Sequence, residues 1–333
     1  MKVAIIGATG AVGREMVADL ESCGIKEIDV GFFASERSAG DQIQFRGKMR
    51  EVRAYRAEDL RGFDYCLMSA GGAFSRQNAK SIAELGVTVI DNSSAWRMVD
   101  GVPLVVPEVN GDVLKQLPKG SIIANPNCST IQMVVALKPL LDRFGIEQIH
   151  VSTYQSVSGT GQKGIRELSS QVEASFKFIE KAPEVYSQPI AFNVLPAIDV
   201  LDASGHCFEE EKMIRETRKI FCRPELDVLA TTVRVPVYHC HSESIAVKLG
   251  KPVTRSEAIE CMSAFSGLTM HLEDQHSEFP TPRGAAGSQG VHVARVRLPL
   301  GCARSEWVQL WVVADNLKKG AATNAVQILS AIS

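Results

Sequence analysis

The sequence predicts an α/β chain in two parts, a doubly wound parallel-sheet domain followed by an α+β domain with a mostly antiparallel sheet. Three observations carry this prediction. A glycine turn joins the first apolar run to the first helix, apolar runs and helical patterns then alternate, and from about residue 148 the pattern changes to apolar–polar alternation.

Lys2-Val3-Ala4-Ile5-Ile6 has the composition of a buried strand, and Gly7-Ala8-Thr9-Gly10-Ala11-Val12-Gly13 leads from it into a helix that reaches residue 20. Glycines here permit a tight turn and let a pyrophosphate approach the backbone at the helix N-terminus, as in a Rossmann-like domain. The spacing is G-x-x-G-x-x-G, weak alone; its place between the first strand and first helix makes it a dinucleotide signal. A second strand over 28–33 ends at Ala34-Ser35-Glu36-Arg37-Ser38-Ala39-Gly40, where such a site reads the adenosine ribose. Glu36 is the acid expected for NAD, whereas the Arg37 guanidinium between Ser35 and Ser38 suits a 2′-phosphate, so the reading favours NADP. A third strand over 65–69 ends in Ala70-Gly71-Gly72-Ala73, small residues that leave room for a cofactor; a helix over 74–85 and a strand over 87–90 continue the alternation. Arg97, in the polar loop Asp91-Asn92-Ser93-Ser94-Ala95-Trp96-Arg97, is of the type that clamps a phosphate, although most loop arginines are simply solvated.

The stretch Ala124-Asn125-Pro126-Asn127-Cys128-Ser129-Thr130-Ile131 closes this first part. A short apolar run precedes it, and Ile131, Val134, Val135, Leu137, Leu140 and Leu141 recur after it at helical spacing. Pro126 disfavours helical angles at Asn125, and Asn127 or Ser129 can cap the first turn, so Cys128 is placed at a helix N-terminus. That position favours a thiolate and can hold an oxyanion, as a nucleophilic cysteine requires. The competing reading is a small buried core cysteine.

Residues 148–155 alternate as a half-buried strand and run into Ser156-Val157-Ser158-Gly159-Thr160-Gly161. Helices are expected over 165–180, 209–220 and 255–265, strands over 228–235, 244–249, 291–298 and 307–314, and a last helix after Gly320. The domains expected are therefore 1–127, with 315–333 packing back on it, and 128–314. His239 and His241 are expected on one strand face with Cys240 between them; zinc is disfavoured because no second ligand pair accompanies them, and a histidine there is of the type that can serve Cys128. No metal is expected.

Composition narrows the function classes. Lys+Arg 36 against Asp+Glu 38 gives a net charge of -2, no field for nucleic acid or an anionic membrane. The 8 cysteines are scattered without C-x-x-C pairs, as in a reduced cytoplasmic protein, and neither a signal segment nor a spanning apolar run is read. Small-molecule chemistry is the remaining expectation.

Taken together, the glycine turn, the cysteine turn, Ser152-Thr153-Tyr154-Gln155-Ser156-Val157-Ser158-Gly159 and the stretch 234–241 resemble the aspartate-β-semialdehyde dehydrogenase family along the whole chain. The resemblance implies Cys128 as nucleophile, His241 as acid/base and Gln155 as the residue orienting substrate and acyl intermediate. It further implies Arg234 on the substrate α-carboxylate, Glu209 near its amino end, and Arg97, Asn127 and Lys212 on phosphate. Gly7, Thr9, Gly10, Ala11, Val12, Ser35, Arg37, Ser38, Gly71, Ser158, Gly159 and Asn316 would contact NADP. The implied reaction is NADPH-dependent reductive dephosphorylation of L-4-aspartyl phosphate to L-aspartate 4-semialdehyde, towards lysine, methionine and threonine, by a homodimer or homotetramer whose second domain is catalytic and dimerising. The rivals are an N-acetyl-γ-glutamyl-phosphate reductase and a catalytically silent nucleotide-binding paralogue; the pairing of Gln155 with Arg234 suits a free amino-acid carboxylate and speaks against the first, while Cys128 speaks against the second.

Overall fold

The computed structural model describes residues 1–272 and 278–333. Its contacts divide the chain into two compact units, Met1–Asn127 with Gly320–Ser333, and Cys128–Lys319.

The first unit is built on seven strands: β1 (Lys2–Ile6), β2 (Asp29–Ala34), β3 (Gln42–Phe45), β4 (Lys48–Ala54), β5 (Tyr65–Met68), β6 (Thr88–Asp91) and β7 (Ile122–Ala124). They lie in the order β3-β4-β2-β1-β5-β6-β7, all parallel except the β3 edge. Helices α1 (Ala11–Ser22) and α2 (Gly72–Glu84) follow β1 and β5, and the short α3 (Pro107–Asn110) precedes β7. The chain leaves β1 for β2 on one side and later returns to β5 on the other, which makes the carboxyl ends of β1 and β5 the switch point where open α/β sheets bind ligands. The hairpin β3–β4 was not expected. Its alternation is masked by charge, since Lys48, Arg50, Glu51 and Arg53 occupy most of β4.

The second unit is organised around α4 (Cys128–Phe144), followed by β8 (Ile146–Gln155), α5 (Gln162–Phe176), α6 (Phe208–Ile220), β9 (Asp227–Arg234), β10 (His241–Val253), α7 (Arg255–Ser263), β11 (Leu268–His271), α8 (Pro282–Ala285), β12 (Val291–Arg297) and β13 (Ser305–Ala314). Every residue of α4 from Ser129 to Leu137 is buried, as expected of a helix covered on all sides. It packs on β10 and β13 along one side and on α6 and α7 along others. The sheet order is β11-β12-β13-β10-β8-β9, antiparallel at its three central pairings and parallel at β8–β9 and β11–β12. The helix expected over 165–180 starts earlier, after Gly161 at φ 78, and stops before Phe178, which adopts φ 55. The final helix α9 (Thr323–Ile332), which belongs to the first unit, follows a π-helical turn over Lys318–Ala322 and packs on α1.

One expectation is corrected. His239 and His241 do not share a strand face: Cys240 between them takes φ 69, and β10 begins only at His241. The left-handed residue turns the backbone there and breaks the two-residue repeat.

Candidate active site

Chain topology explains how distant residues meet in the second unit. From Cys128 the helix α4 runs to Phe144, Gly145 at φ 73 reverses the chain, and β8 returns towards the level where the helix began. Ten strand residues at roughly 3.3 Å each retrace the roughly 25 Å of a 17-residue helix. Gln155 ends β8. It pairs with Arg234, the last residue of the parallel neighbour β9, and with His241, the first residue of the antiparallel neighbour β10. The three side chains therefore stand abreast on adjacent strands, on the same face, with roughly 4.8 Å between strands. Gln155 and His241 are no more than 1% exposed and Arg234 is 6% exposed.

Hydrogen bonds fix each of these groups. Gln155 donates through Nε2 to Glu209 Oε1 at 3.1 Å, and Lys212 Nζ donates to Glu209 Oε2 at 3.2 Å and to Asp199 Oδ2 at 3.1 Å. Burial works against a charge on Lys212, but Glu209 and Asp199 outweigh it and hold the ammonium above its usual range. Arg234 Nη1 donates to the Ser156 carbonyl at 2.6 Å. His241 accepts at Nδ1 from the Ser156 backbone N–H at 3.1 Å, and its Nε2 is buried with no protein partner. Burial first, and then the Arg234 guanidinium, push the His241 pKa down to about 3.

Gly159 opens the space in front of these groups. A Cβ there would lie 3.0 Å from Arg234 Nη1 and 3.4 Å from His241 Nε2. Asn316 Oδ1 accepts from Ser158 Oγ at 3.1 Å, Ser156 Oγ at 3.2 Å and the Cys240 N–H at 3.0 Å, which makes it a hub for the loop beneath His241. Thus Gln155, Ser158, Gly159, Glu209, Lys212, Arg234, His241 and Asn316 belong to one connected group in this unit, at the end of the sheet towards which the Cys128 end of α4 points.

Two residues of this unit escaped the sequence reading. Glu243 follows His241 on the inward face of β10, and Gln132 lies one helical turn beyond Cys128; both are buried, Glu243 at 0% and Gln132 at 1% exposure. Burial raises the Glu243 carboxyl well above the ordinary carboxylate range, with Gln132 acting in the opposite sense. The alternation His241-x-Glu243-x-Ile245 held the signal.

In the first unit the glycine turn is sterically obligatory. Gly7 adopts φ 84, and a Cβ on Gly13 would fall 2.1 Å from the Gly7 carbonyl oxygen. The turn is held by Gly7 N–H to Phe33 O at 2.8 Å and Gly10 N–H to Gly7 O at 3.0 Å, with Ala11 and Val12 starting α1. Thr9 Oγ1 meets Ser38 Oγ at 3.3 Å, so the glycine turn and the loop after β2 are brought together. Ser35 and Arg37 in that loop are exposed, and Gly71, at φ 83, caps α2 beside the end of β5. These features fit a dinucleotide: bare backbone at a helix N-terminus, with cationic and hydroxyl groups at the neighbouring strand end. Arg97, 8% exposed, lies on the Asn125 carbonyl at 2.9 Å and the Asn92 carbonyl at 3.2 Å, and Asn127 is buried in the turn that precedes α4.

Comparison with known proteins agrees with both units. Residues 2–117 match the family model of the semialdehyde dehydrogenase NAD binding domain, and residues 137–319 that of the semialdehyde dehydrogenase dimerisation domain. The aspartate-semialdehyde dehydrogenase of Aquifex aeolicus is 48% identical over 98% of this chain and 96% of its own length. That of Bacillus subtilis is 41% identical over 100% of this chain and 97% of its own. Among solved structures, aspartate semialdehyde dehydrogenase II of Vibrio cholerae complexed with ASA superposes with a TM-score of 0.95 at 43% identity, covering 99% of this chain and 97% of that one. By sequence and by fold, the chain belongs to the aspartate-semialdehyde dehydrogenase family.

Proposed function

We propose that this chain catalyses the NADPH-dependent reduction of L-4-aspartyl phosphate to L-aspartate 4-semialdehyde and phosphate, through a thioester on Cys128, in the route to lysine, methionine and threonine. The observation that carries the reading is the row Arg234, Gln155 and His241 across three adjacent strand ends, in the unit where Cys128 opens the central helix. Arg234 offers a planar fork to the substrate α-carboxylate, which a lysine point charge would not match. Glu209 stands ready for the substrate ammonium group, and its tie to Gln155 couples that recognition to the orientation of the acyl group. Lys212, Arg97 and Asn127 serve the phosphate.

Cys128 attacks the acyl phosphate, the tetrahedral oxyanion collapses with loss of phosphate, and the thioester remains. A thioester accepts hydride far more readily than a carboxylate. The nicotinamide cofactor, when bound, supplies that hydride. His241 attends both tetrahedral stages from Nε2, and collapse of the Cys128 thiohemiacetal releases the aldehyde.

The family establishes a nicotinamide cofactor; preference for NADP is our inference from Arg37, Ser35 and Ser38. We likewise infer a homodimer, or a homotetramer built from such dimers, formed through the second unit, and a cytoplasmic setting, in keeping with eight cysteines that form no disulfide. Among the described residues no helix is long and apolar enough to cross a membrane. The reaction is tested in the oxidative direction with L-aspartate 4-semialdehyde, NADP and phosphate. Phosphate-dependent NADPH formation that Cys128→Ser abolishes is the expected result. A folded wild-type enzyme that binds NADP and turns nothing over would refute it.

A further inference from the structure

We propose that Glu167 and Gln171, on the buried side of α5, are positioning residues for Arg234: they clamp a strap over residues 184–195, and Leu195 in that strap fixes the strand end that carries the guanidinium, a role that rests on the reaction proposed above. Among the described residues no helix or strand lies between α5 and α6, so residues 177–207 have no ladder of their own to satisfy their backbone. Part of this stretch is nevertheless buried, with Ile190 at 0% and Leu195 at 5% exposure. Buried amides need partners, and two side chains of α5 supply them.

Glu167 and Gln171 stand one helical turn apart and are 5% and 3% exposed. Gln171 Nε2 donates to Glu167 Oε1 at 3.1 Å, which sets the amide with its oxygen towards the strap. Gln171 Oε1 then accepts from the Ile190 N–H at 2.8 Å and the Ala191 N–H at 3.1 Å, while Glu167 Oε2 accepts from the Glu184 N–H at 3.1 Å and from that of Val185. Backbone N–H groups of an irregular segment thus converge in pairs on two side-chain oxygens. Ile190 and Leu195 pack with Leu168 of α5 and with Val157, which closes the apolar side of the clamp.

The strap is tied to the substrate site at two points. β9 is the edge strand of its sheet, and at its last residue both backbone groups turn to Leu195: the Leu195 N–H donates to the Arg234 carbonyl and the Arg234 N–H to the Leu195 carbonyl, each at 2.9 Å. Tyr186 Oη donates to Thr160 Oγ1 at 3.1 Å, in the turn over 157–160 that contains Gly159. Arg234 Nη1 is held in turn by the Ser156 carbonyl. The guanidinium is therefore set by a loop and by a strand end, and the strand end is only as fixed as the strap. In the substrate the α-carboxylate lies away from the carbonyl carbon that Cys128 attacks, so a loosened Arg234 weakens binding more than the chemical step.

Gln171→Leu removes the oxygen that Ile190 and Ala191 use and keeps the size of the side chain. In the full-length enzyme, checked for folding by circular dichroism, KM for L-aspartate 4-semialdehyde should rise about tenfold, with kcat and the KM for NADP within about twofold of wild type. The double variant Glu167→Gln with Gln171→Glu keeps an acceptor for each strap amide and a donor between the two side chains, and it should return KM close to wild type. An unchanged KM in Gln171→Leu, or a loss that falls alike on kcat and on every substrate and that the double variant does not reverse, would overturn the positioning role. Backbone hydrogen exchange read by mass spectrometry follows the clamp without turnover. Faster exchange over 184–195 in Gln171→Leu is expected to extend to Arg234, and unchanged protection at Arg234 would overturn the proposal. Should that variant not fold, the milder Glu167→Gln, which sets two N–H donors face to face, gives the same two readings. If the wild type turns nothing over, the reaction reading falls, while exchange at Arg234 still decides whether the strap holds it.

Discussion

Arg37 shows how one side chain decides a cofactor. It is exposed in the loop after β2 and, among the described residues, forms no ion pair with the adjacent Glu36, so its guanidinium is available to a 2′-phosphate. Charge-assisted hydrogen bonds of this kind contribute about 1.5–3 kcal/mol, so Arg37→Ala should raise the KM for NADP about ten- to hundredfold. The KM for NAD, which lacks the phosphate, should stay close to wild type; equal losses with both cofactors would mean that Arg37 only shapes the loop. At this scale much was legible, because chemistry-bearing residues at turns carry their own signal: Pro126 beside Cys128, the glycines before α1, Arg37 between serines. What stayed hidden was direction. Nothing in the sequence says which nitrogen of His241 meets an amide, or that Asn316, read as a cofactor contact, also braces Ser156 and Cys240.

Among elements, the contact of β10 with α4 contains the least expected chemistry, the buried Glu243 beside Gln132 with its carboxyl pKa raised by burial. A carboxyl whose folded pKa lies above its ordinary value of 4.5 keeps its proton to higher pH in the fold than in the unfolded chain. Its contribution is then least unfavourable below pH 4.5, and it costs stability as pH rises from there towards the folded value, by at most about 1.4 kcal/mol per pH unit. Glu243→Gln removes the ionisation and keeps a polar side chain of the same size. Urea melts at pH 5 and pH 8 should show the variant gaining on the wild type as pH rises, and a gap that does not change with pH would show Glu243 to be ionised in the fold. Elements themselves were readable wherever apolar spacing was clean, as in α4, β1 and β8. The hairpin β3–β4 was not, because Lys48, Arg50, Glu51 and Arg53 in β4 hide the two-residue repeat. The parallel pairing of β8 with β9 was hidden for another reason: it is set by a connection of some seventy residues, not by either strand's own sequence.

For the whole molecule, the second unit has one sheet face covered by α4 and another that is only partly covered. Because Thr153, Gln155, His241 and Glu243 turn inward, the intervening residues of the same strands turn outward. Outward are Tyr154 at 38% and Leu229 at 49% exposure, with Tyr154 tilted against Trp311 at 5.6 Å and His150 edge-on to Trp307 at 5.3 Å. An aromatic-rich sheet face of this kind in a unit matching a dimerisation domain is the surface we expect two copies to share. Leu229 pairs with His150 in register at the β8–β9 edge, so a carboxylate placed there would be buried without a partner. Leu229→Glu should therefore weaken association by about 3 kcal/mol, roughly a hundredfold in Kd, and light scattering across a dilution series should show monomer where the wild type is dimeric. Because Leu229 is exposed within a single copy, thermal melting of the monomeric variant should stay cooperative. A wild type that is monomeric, or a variant that dimerises as tightly as the wild type, would place the interface elsewhere. Arg234 ends the same strand on which Leu229 lies, so loss of the dimer should also lower kcat/KM for the semialdehyde if the shared face holds that strand end in place.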